Sequence, residues 1–535
     1  MIRSTLIFIF IINVCYSQAP IIQWEKSYGG NQVDIANGIC QTADGGYVFI
    51  GSTNSQNGDV VGNPYPFSEF YTRTSWIVKI SSTGAIEWQK IYGGYAHDET
   101  TAIKQTTDGG FIVSGFSASS TGDVTNSVGG RDFWILKLNA TGNLQWQKSF
   151  GSTSSDKAFD IIQTSDGGYA AIGYLRYPSN YGSDHWYNEL SVVKLSDTGT
   201  VQWSKRFGGT RYDMGYGIIQ TDDNGFMLVG RAQSKDGDVK SNHGLFDAWV
   251  IKTNSLGVLQ WQKTYGGTAD DAAVGIVKAN DGNYVVLGET TSKDGDVTSN
   301  YGSVDLWVFK INPAGDIIWQ NTYGGPSTQS AGIYLVNDPE QEQGQVPTGK
   351  ISKTSDNGFL ICGTTFGDIP GHHGSNNTDA YIAKINNEGV LVWQRAFGGS
   401  NNDEGAEIIQ TSDNGYILAA QNLGHPITKP VDWSNNHGSY DAWIVKFTPD
   451  ESLSIDELST QQIIAYPNPV NTTLFIKAKE NIIFDKIVIT DITGKKVLTQ
   501  TNDINKISVE TLLSGVYFIE AFSQKQIFRS KFIKN

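Results

Sequence analysis

The stretch WQKTYGG, residues 261–267, decides the fold because it returns along the chain in closely related form. Copies of it begin at Trp24, Trp88, Trp146, Trp203, Trp261, Trp319 and Trp393. Successive tryptophans are 57 to 74 residues apart, and four of the six intervals are 57 or 58 residues. A period of this length indicates a repeat protein in which each period forms one supersecondary unit.

Each period contains four short segments that alternate apolar and polar residues and are rich in β-branched and aromatic types, as strands are. Asp-Gly and Asn-Gly turns join the first segment to the second, at positions where a positive φ favours glycine. Seven four-stranded units predict an all-β chain whose repeat region, residues 18–449, is a seven-bladed β-propeller. The four segments are exemplified by DMGYGIIQT (213–221), DGGYVFIGST (44–53), DAWVIKT (247–253) and GVLQWQK (257–263).

The two ends of the repeat region complement each other. The region opens with a lone tryptophan strand, IIQWEKS (21–27), and its seventh unit ends at DAWIVKF (441–447) without one. We therefore expect the N-terminal strand to complete the last blade. This pairing would close the ring and leave no exposed sheet edge.

The first 17 residues have the pattern of a secretory signal peptide. Arg3 precedes an apolar run from Leu6 to Val14, and Ser17 is the small residue before the expected cut. The run is too short to span a bilayer stably, so no transmembrane segment is expected after removal of the signal. Lipidation at Cys15 is the alternative, although Val14 is not the small residue that such sites prefer.

Composition and charge limit the possible partners and chemistry. The 535-residue chain has a formal net charge of −15, so a nucleic-acid partner, which requires a basic face, is not expected. Cys40 and Cys362 lie in non-adjacent units and are predicted to be buried thiols rather than a disulfide. The histidines are scattered without an HExxH pattern, and no nucleophile motif stands out.

The pattern changes after residue 450. A polar linker, residues 450–462, leads into short predicted strands that suit a small immunoglobulin-like β-sandwich over residues 463–535. Four motifs in it resemble the type A C-terminal sorting domain of the type IX secretion system, and they include Tyr466, Pro467, Asn468, Pro469, Gly494, Gly515, Tyr517 and the terminal segment 531–534. The resemblance implies recognition by the type IX secretion machinery and export through the periplasm and across the outer membrane, to the cell surface or the medium. An ordinary adhesive domain is the alternative.

Two sets of aspartates recur in the repeat. The first set begins the innermost strand of each unit: Asp34, Asp98, Asp156, Asp213, Asp271 and Asp403, with Gln329 in the sixth unit. Presence in nearly every unit favours hydrogen bonding to the connecting turn, and a ring of cation ligands is the alternative. The second set belongs to two DGDV loops, where a turn is favoured over calcium binding: Asp236 and Asp238, and Asp294 and Asp296. No cofactor is otherwise predicted.

Departures from the repeat indicate where a ligand could bind. The turns within hairpins are short, so one face of the propeller is plain, and the irregular insertions fall on the opposite, long-loop face. Its aromatic residues are the candidates for stacking on a glycan or a peptide: Tyr65, Phe67, Tyr71, Tyr177, Tyr181, Trp186, Tyr187 and Trp433. The alternative is that these rings only hold their own loops in place.

These observations favour an exported binding or adhesion module over an enzyme. A polysaccharide hydrolase or lyase would need two carboxylates in one cleft, and the acids available on the long-loop face are Glu69, Asp184, Glu189 and Asp432. Those acids lie in different units, and no spacing pairs them. A purely structural surface protein is the third hypothesis.

Overall fold

The computed structural model describes residues 19–65, 72–178, 186–332, 347, 349–373, 377–423, 436–450, 463–478, 484–491, 495–501, 504, 506–523 and 526–535. The regular elements of these residues are strands, so the all-β prediction is confirmed. They include no helix that is long and apolar enough to cross a membrane. The chain divides into two compact units, Met1–Asp450 and Glu451–Asn535, each with its own hydrophobic core.

The described part of the first unit forms seven antiparallel sheets. Sheet 1 contains β2 (Asp34–Gln41), β3 (Tyr47–Thr53), β4 (Thr74–Ile80) and β5 (Ile86–Tyr92). Sheet 2 contains β6 (Asp98–Gln105), β7 (Phe111–Ser117), β8 (Asp132–Leu138) and β9 (Leu144–Phe150). Sheet 3 contains β10 (Lys157–Gln163), β11 (Tyr169–Pro178), β12 (Trp186–Leu195) and β13 (Val201–Phe207).

The next three sheets repeat this order. Sheet 4 contains β14 (Asp213–Gln220), β15 (Phe226–Ala232), β16 (Asp247–Thr253) and β17 (Leu259–Tyr265). Sheet 5 contains β18 (Asp271–Lys278), β19 (Tyr284–Thr290), β20 (Asp305–Ile311) and β21 (Ile317–Tyr323). Sheet 6 contains β22 (Gln329–Ser330), β23 (Ile351–Lys353), β24 (Phe359–Thr365), β25 (Asp379–Ile385) and β26 (Leu391–Phe397).

Sheet 7 joins the two ends of this unit. It contains β27 (Asp403–Gln410), β28 (Tyr416–Leu423), β29 (Tyr440–Phe447) and, as its outer strand, β1 (Ile22–Tyr28). The pairing of β1 with β29 is antiparallel and places Lys26 opposite Ile444. Because β1 covers the edge of β29, that edge has no unpaired backbone groups to expose.

The seven sheets form a closed ring. Their first strands contact one another in the order β2, β6, β10, β14, β18, β23 and β27, and β27 contacts β2 again. The middle strands of sheets 1, 2, 4, 5 and 6, such as β15 and β16, are buried along their whole length. Burial on both faces follows because each sheet packs between two neighbours, and it explains the continuous apolar character of these strands.

The repeated WQKTYGG motif attaches each sheet to the next one. The indole N–H of Trp203 donates to the carbonyl of Ser255, at 3.2 Å, in the turn between the third and fourth strands of sheet 4. Tyr265 OH donates to the carbonyl of Gly315, at 2.6 Å, in the equivalent turn of sheet 5. A side chain at Gly142, in the same turn of sheet 2, would lie 2.5 Å from the Trp88 ring, so this turn requires glycine. The motif is therefore an inter-sheet joint.

The centre of the ring is crossed by charged side chains. Glu407 of sheet 7 lies 3.3 Å from the ammonium of Lys350, which precedes β23, and 3.6 Å from the ammonium of Lys104 of sheet 2. Lys350 also donates to the carbonyl of Thr101 at 3.0 Å, and the Ile39 N–H donates to Glu407 at 3.0 Å. Coulombic attraction to Lys350 and Lys104 lowers the pKa of Glu407 against the effect of burial. These contacts connect sheets across the middle of the ring.

The second unit has two sheets around one core. The first sheet contains β30 (Ile463–Tyr466), β31 (Thr473–Ala478) and β34 (Lys506–Ser508). The second contains β32 (Lys486–Asp491), β33 (Lys496–Gln500), β35 (Gly515–Ser523) and β36 (Gln526–Lys534). Leu474 and Ile507 of the first sheet share a buried cluster with Ile487, Ile519 and Phe532 of the second. Two sheets that share one core are the arrangement of a β-sandwich.

Candidate functional site

The aspartates that begin the innermost strands are hydrogen-bonded into the fold. Gly267 N–H donates to Asp271 at 2.8 Å, and Ser292 Oγ donates to the same carboxylate at 2.7 Å. Asp98 receives the equivalent bonds from Gly94 and Ser119, at 2.7 and 2.8 Å. Both carboxylates are fully buried. The set therefore caps the turn that enters each sheet, as the sequence favours, and its oxygen atoms are used inside the fold.

The DGDV aspartates also bond to a turn. Asp294 accepts hydrogen bonds from the N–H and the hydroxyl of Thr268, both at 2.8 Å. Asp296 accepts from the Gly266 N–H at 3.2 Å, and Asp236 and Asp238 make the same contacts one sheet earlier. Within the described residues, no group of three or more His, Cys, Asp and Glu side chains could hold a metal ion. Calcium binding by these loops stays a prediction.

Three of the eight candidate aromatic residues have described side chains. Phe67, Tyr71, Tyr181 and Trp433 lie outside the described residues, and for Trp186 the structure describes only the backbone, which pairs with Pro178. Those with described side chains are Tyr65, Tyr177 and Tyr187. Their role as ligand-binding residues stays a prediction.

Tyr65 packs against the loop that leads into sheet 2. Its ring is 8% exposed and meets the ring of Tyr95 edge-on at a centroid distance of 5.2 Å. Its backbone N–H donates to Asn63 Oδ1 at 3.0 Å. This environment matches the alternative role, in which the aromatic residue fixes the loop, and it leaves Tyr95, at 66% exposure, as the accessible ring of the pair.

A long hairpin in sheet 3 brings two candidate residues together. Strands β11 and β12 have ten residues each, whereas the equivalent β15 and β16 have seven, so this hairpin extends further on the long-loop face. Tyr177 and Tyr187 are directly opposed near its end, and their ring centroids are 6.3 Å apart. Both rings are half-buried. Cross-strand aromatic pairs of this kind stabilise a hairpin while leaving part of each ring accessible.

Two charged groups complete this tyrosine cluster. The guanidinium carbon of Arg206 lies 4.6 Å from the centroid of the Tyr177 ring, within the range of a cation–π interaction. The same guanidinium lies 2.9 Å from Glu189, and the side chains are 48% and 19% exposed, respectively. Burial raises the pKa of Glu189. The positive charge of Arg206 lowers this pKa, and the negative charge of Asp238 raises it. The cluster thus presents two aromatic rings, a cation and a carboxylate on one face of the hairpin.

A second group of residues, several of them charged, was not predicted from the sequence because it lies within the repeat. The residue after each capping aspartate, or after Gln329 in sheet 6, is paired with a residue of the second strand that follows a glycine, or Ala420 in sheet 7. The pair differs in every sheet. The pairs are Ile35 with Ser52, Glu99 with Phe116, Lys157 with Tyr174, Met214 with Arg231, Ala272 with Glu289, Ser330 with Thr364 and Glu404 with Gln421. A position that varies among nearly constant neighbours is the signal that could have revealed this group.

The members in sheets 2 and 3 concentrate buried charge at the long-loop face. Glu99 accepts from Arg73 at 3.1 Å and lies 2.9 Å from the His97 ring. The Lys157 ammonium is buried, lies 4.7 Å from the centroid of the Phe116 ring and has no hydrogen-bond partner among the described residues. Burial lowers the pKa of Lys157 to about 7, and nearby arginines contribute to the decrease. The charged form of Lys157 is therefore destabilised in the fold.

The sorting motif of the second unit fixes the last strand of the chain. Asn468 Oδ1 accepts the N–H of Ile533 at 2.8 Å, and its amide donates to the carbonyl of Lys531 at 3.3 Å. Val470 N–H donates to the carbonyl of Ile533 at 2.8 Å, and Asn535 N–H donates to Val470 at 3.0 Å. The Tyr-Pro-Asn-Pro segment and Val470 therefore hold β36 in place through hydrogen bonds.

Two aromatic stacks involve tyrosines of the sorting motif. The Tyr466 ring stacks on Phe475 with centroids 5.8 Å apart, and the Tyr517 ring stacks on Phe532 with centroids 5.6 Å apart. Tyr466 is 46% exposed, whereas Tyr517 is buried. Gly515 begins β35, and Gly494 lies outside the described residues.

Comparison with known families identifies the second unit. Residues 464–535 match the secretion system C-terminal sorting domain, which confirms the resemblance drawn from its motifs. Such a domain directs a protein across the outer membrane, to the cell surface or the medium. The ring of four-stranded sheets and this sorting domain together define an exported β-propeller protein that the type IX secretion machinery handles.

Similarity outside the sorting domain is lower. Regulatory protein FlaEY of Caulobacter vibrioides is 24% identical over 494 residues, which cover 82% of this chain and 48% of FlaEY, so the chain spans about half of that curated relative. The chain is also similar to the solved structure of PorZ, a surface component of the type IX secretion system of Porphyromonas gingivalis. The match covers 95% of this chain and 60% of the PorZ chain, with 12% identity and a TM-score of 0.38. The match to the WD40 domain of Neurospora crassa Pan2 covers 78% of this chain and 90% of the Pan2 chain, with 9% identity and a TM-score of 0.40.

Proposed function

We propose that this protein is an exported binding or adhesion module. Its ring is a seven-bladed β-propeller, closed by the strand Ile22–Tyr28, that binds a glycan or a surface protein on its long-loop face. Its immunoglobulin-like sorting domain follows. The domain limits of 1–17, 18–449, 450–462 and 463–535 belong to this proposal.

The observation that carries the proposal is the tyrosine cluster at the end of the β11–β12 hairpin. Tyr177 and Tyr187 offer aromatic faces, and Arg206 and Glu189 offer a donor and an acceptor beside them. Aromatic rings beside a few polar groups suit a ligand with apolar faces and hydrogen-bonding edges, as glycans and peptides have. The hairpin that carries the cluster is longer than its counterparts, and a departure from the repeat is explained more readily by a ligand than by the ring itself.

The test is binding of the purified full-length protein to glycan arrays and to immobilised outer-membrane proteins. Tyr177→Ala and Tyr187→Ala should each reduce binding at least fivefold, because each removes half of the aromatic surface. Tyr301→Ala is the matched control, since Tyr301 is a 63% exposed tyrosine of the same face in sheet 5. Equal loss in the control, or binding that survives both hairpin substitutions, would refute the proposed site.

Two further readouts separate the other hypotheses. Release of product from a polysaccharide panel would favour a hydrolase or lyase; of its four candidate acids, Glu189 pairs with Arg206, whereas Glu69, Asp184 and Asp432 lie outside the described residues. A rise in melting temperature with calcium, reversed by a chelator and lost in Asp294→Ala, would support calcium in the DGDV loops.

A further inference from the structure

A cavity lies between sheets 2 and 3, on the face that carries the short turns. Its volume is about 470 Å³, and its walls come from both sheets. This volume falls in the range of about 300 to 1,000 Å³ that is usual for small-molecule sites. The cavity is at the opposite end of β11 from the tyrosine cluster, because Tyr169 begins the strand and Tyr177 lies eight residues later. At about 3.3 Å per residue, the two places are roughly 26 Å apart.

The cavity has an aromatic wall. The rings of Trp146 and Tyr169 line it with their centroids 5.8 Å apart, at an interplanar angle of 57°. Trp146 is half-buried, so part of the indole faces the cavity. Tyr169 is 3% exposed, so the accessible aromatic face is that of Trp146. A flat indole face suits the C–H face of a sugar ring.

The cavity has a hydrogen-bond donor that the fold does not use. The side-chain oxygen of Gln145 accepts from Lys137 at 3.2 Å, and its N–H groups find no acceptor among the described residues. The equivalent Gln202 accepts from Lys194 in the same way one interface later, so this donor is a feature of the repeat.

The cavity also contains a free acceptor. Asp108 is ion-paired with Lys137 at 2.8 Å, a pair that recurs in the other sheets and serves the fold. Asp197 has no such partner in the described residues, and it is exposed on the rim. Burial, with Asp108 and Asp197 adding to it, raises the pKa of Tyr169 to about 12, which places both carboxylates near this phenol. With one uncompensated negative charge, the cavity disfavours anionic ligands.

We infer that this cavity is a binding site for a neutral sugar residue on the face that sequence reasoning treated as plain. The sugar ring would stack on Trp146, and its hydroxyl groups would donate to Asp197 and accept from the Gln145 amide. A pyranose combines an apolar face with adjacent hydroxyls that donate and accept, which matches this set of groups. The site is independent of the proposed ligand site at the tyrosine cluster.

The experiment uses the full-length protein and the methyl β-glycosides of glucose, galactose, mannose and N-acetylglucosamine as probes. Saturation-transfer NMR and calorimetric titration should show saturable binding of at least one glycoside in the millimolar range. Asp197→Asn should weaken that binding about tenfold, and Trp146→Ala, which removes the stacking surface, should weaken it at least tenfold. If Trp146→Ala unfolds, Gln145→Ala replaces it, because Gln145 is exposed.

Controls distinguish this cavity from other sites. Gln202→Ala changes the equivalent residue one interface later, where the Trp203 N–H already has an acceptor, and should leave glycoside binding unchanged. Absence of saturable binding by all four probes would overturn the inference. So would unchanged affinity in Asp197→Asn and Gln145→Ala, or loss of glycoside binding in Tyr177→Ala alone, which would place the sugar at the tyrosine cluster instead.

Discussion

Glu25, on the first strand of the ring, accepts a hydrogen bond of 3.2 Å from the indole N–H of Trp443, on the last. Five of the other six sheets make the equivalent contact within one stretch of chain, from an indole N–H or, in sheet 6, a tyrosine hydroxyl to a glutamine: Trp76 and Gln89, Trp134 and Gln147, Trp249 and Gln262, Trp307 and Gln320, and Tyr381 and Gln394. The seam is therefore built like these five sheets, with its two halves drawn from distant parts of the sequence.

Replacement of Glu25 tests the seam. Glu25→Ala should reduce the free energy of unfolding by about 1 kcal/mol, because the buried indole N–H loses its acceptor. Glu25→Gln should have little effect, since glutamine is the acceptor in the equivalent sheets. Urea denaturation measures both changes, and Gln262→Ala in sheet 4 is the internal counterpart, for which we expect a similar loss.

The capping aspartates make stability depend on pH. Burial raises the pKa of Asp213 to about 6, against the opposing hydrogen bonds from Ser234 and Gly209. The folded state therefore takes up a proton at higher pH than the unfolded state, and this contribution to stability grows as the pH falls through 6 and is complete below about 4. Asp213→Asn should remove about 2 kcal/mol of this pH dependence between pH 7.5 and 4.5, as measured by urea denaturation. A parallel pH profile in the variant would contradict the prediction.

An aspartate with the opposite shift provides the comparison. The Lys252 and Thr221 hydrogen bonds lower the pKa of Asp223 to about 2. Its contribution to stability is present above pH 4 and is lost as the pH falls toward 2, so Asp223→Asn should leave the profile between pH 7.5 and 4.5 unchanged.

Replacement of Lys157 by an apolar residue should stabilise the fold. Lys157→Met keeps the length of the side chain and removes a buried amine without a partner, so we expect an increase of about 1 kcal/mol in the free energy of unfolding at pH 7. Because the pKa of Lys157 in the fold is about 7, the wild type should gain about 2 kcal/mol relative to the variant between pH 7 and 9. Denaturation at both pH values measures this, and an equal difference at the two would argue against a buried neutral amine.

The ion pair of the tyrosine cluster can be isolated by a double-mutant cycle. Arg206→Met leaves Glu189 half-buried without a counter-ion and should cost about 1 kcal/mol at pH 7. The cost should decrease as the pH falls, because protonation of Glu189, whose pKa is raised by burial, removes the charge that Arg206 compensates. In the Glu189→Gln background the same replacement should have almost no effect. An equal cost in both backgrounds would show that Arg206 acts only through the Tyr177 ring.

The repeat made most of the fold predictable. Trp261 and Tyr265 recur at a fixed distance from their turns, because each must reach the next sheet, and this requirement is visible in one sequence. Strand order and the glycine turns followed from it. The interruption between β22 and β23 was visible as an excursion, but its effect on the inner strand was not, because Lys350 rejoins the sheet through contacts with distant residues such as Glu407.

The candidate sites were less predictable for the same reason. Tyr177 and Tyr187 stand out in sequence, but whether they face each other depends on the register of a hairpin that is longer than the equivalent hairpins of the other sheets. Lys157 occupies a repeat position and resembles a solvated strand residue until its burial is known. The exposed part of the Trp146 ring depends on how much of the indole the turn of sheet 3 covers, which no local pattern records.

The pairing of β1 with β29 also constrains how this protein folds. More than 400 residues separate the partners, so the ring must bring distant segments together before its last sheet is complete, and contacts of that separation form slowly. Until Ile22–Tyr28 pairs, Tyr440–Phe447 offers an open edge to any other extended chain. Intermolecular strand exchange, in which the N-terminal strand of one copy completes the ring of another, is therefore the misassembly that this closure favours.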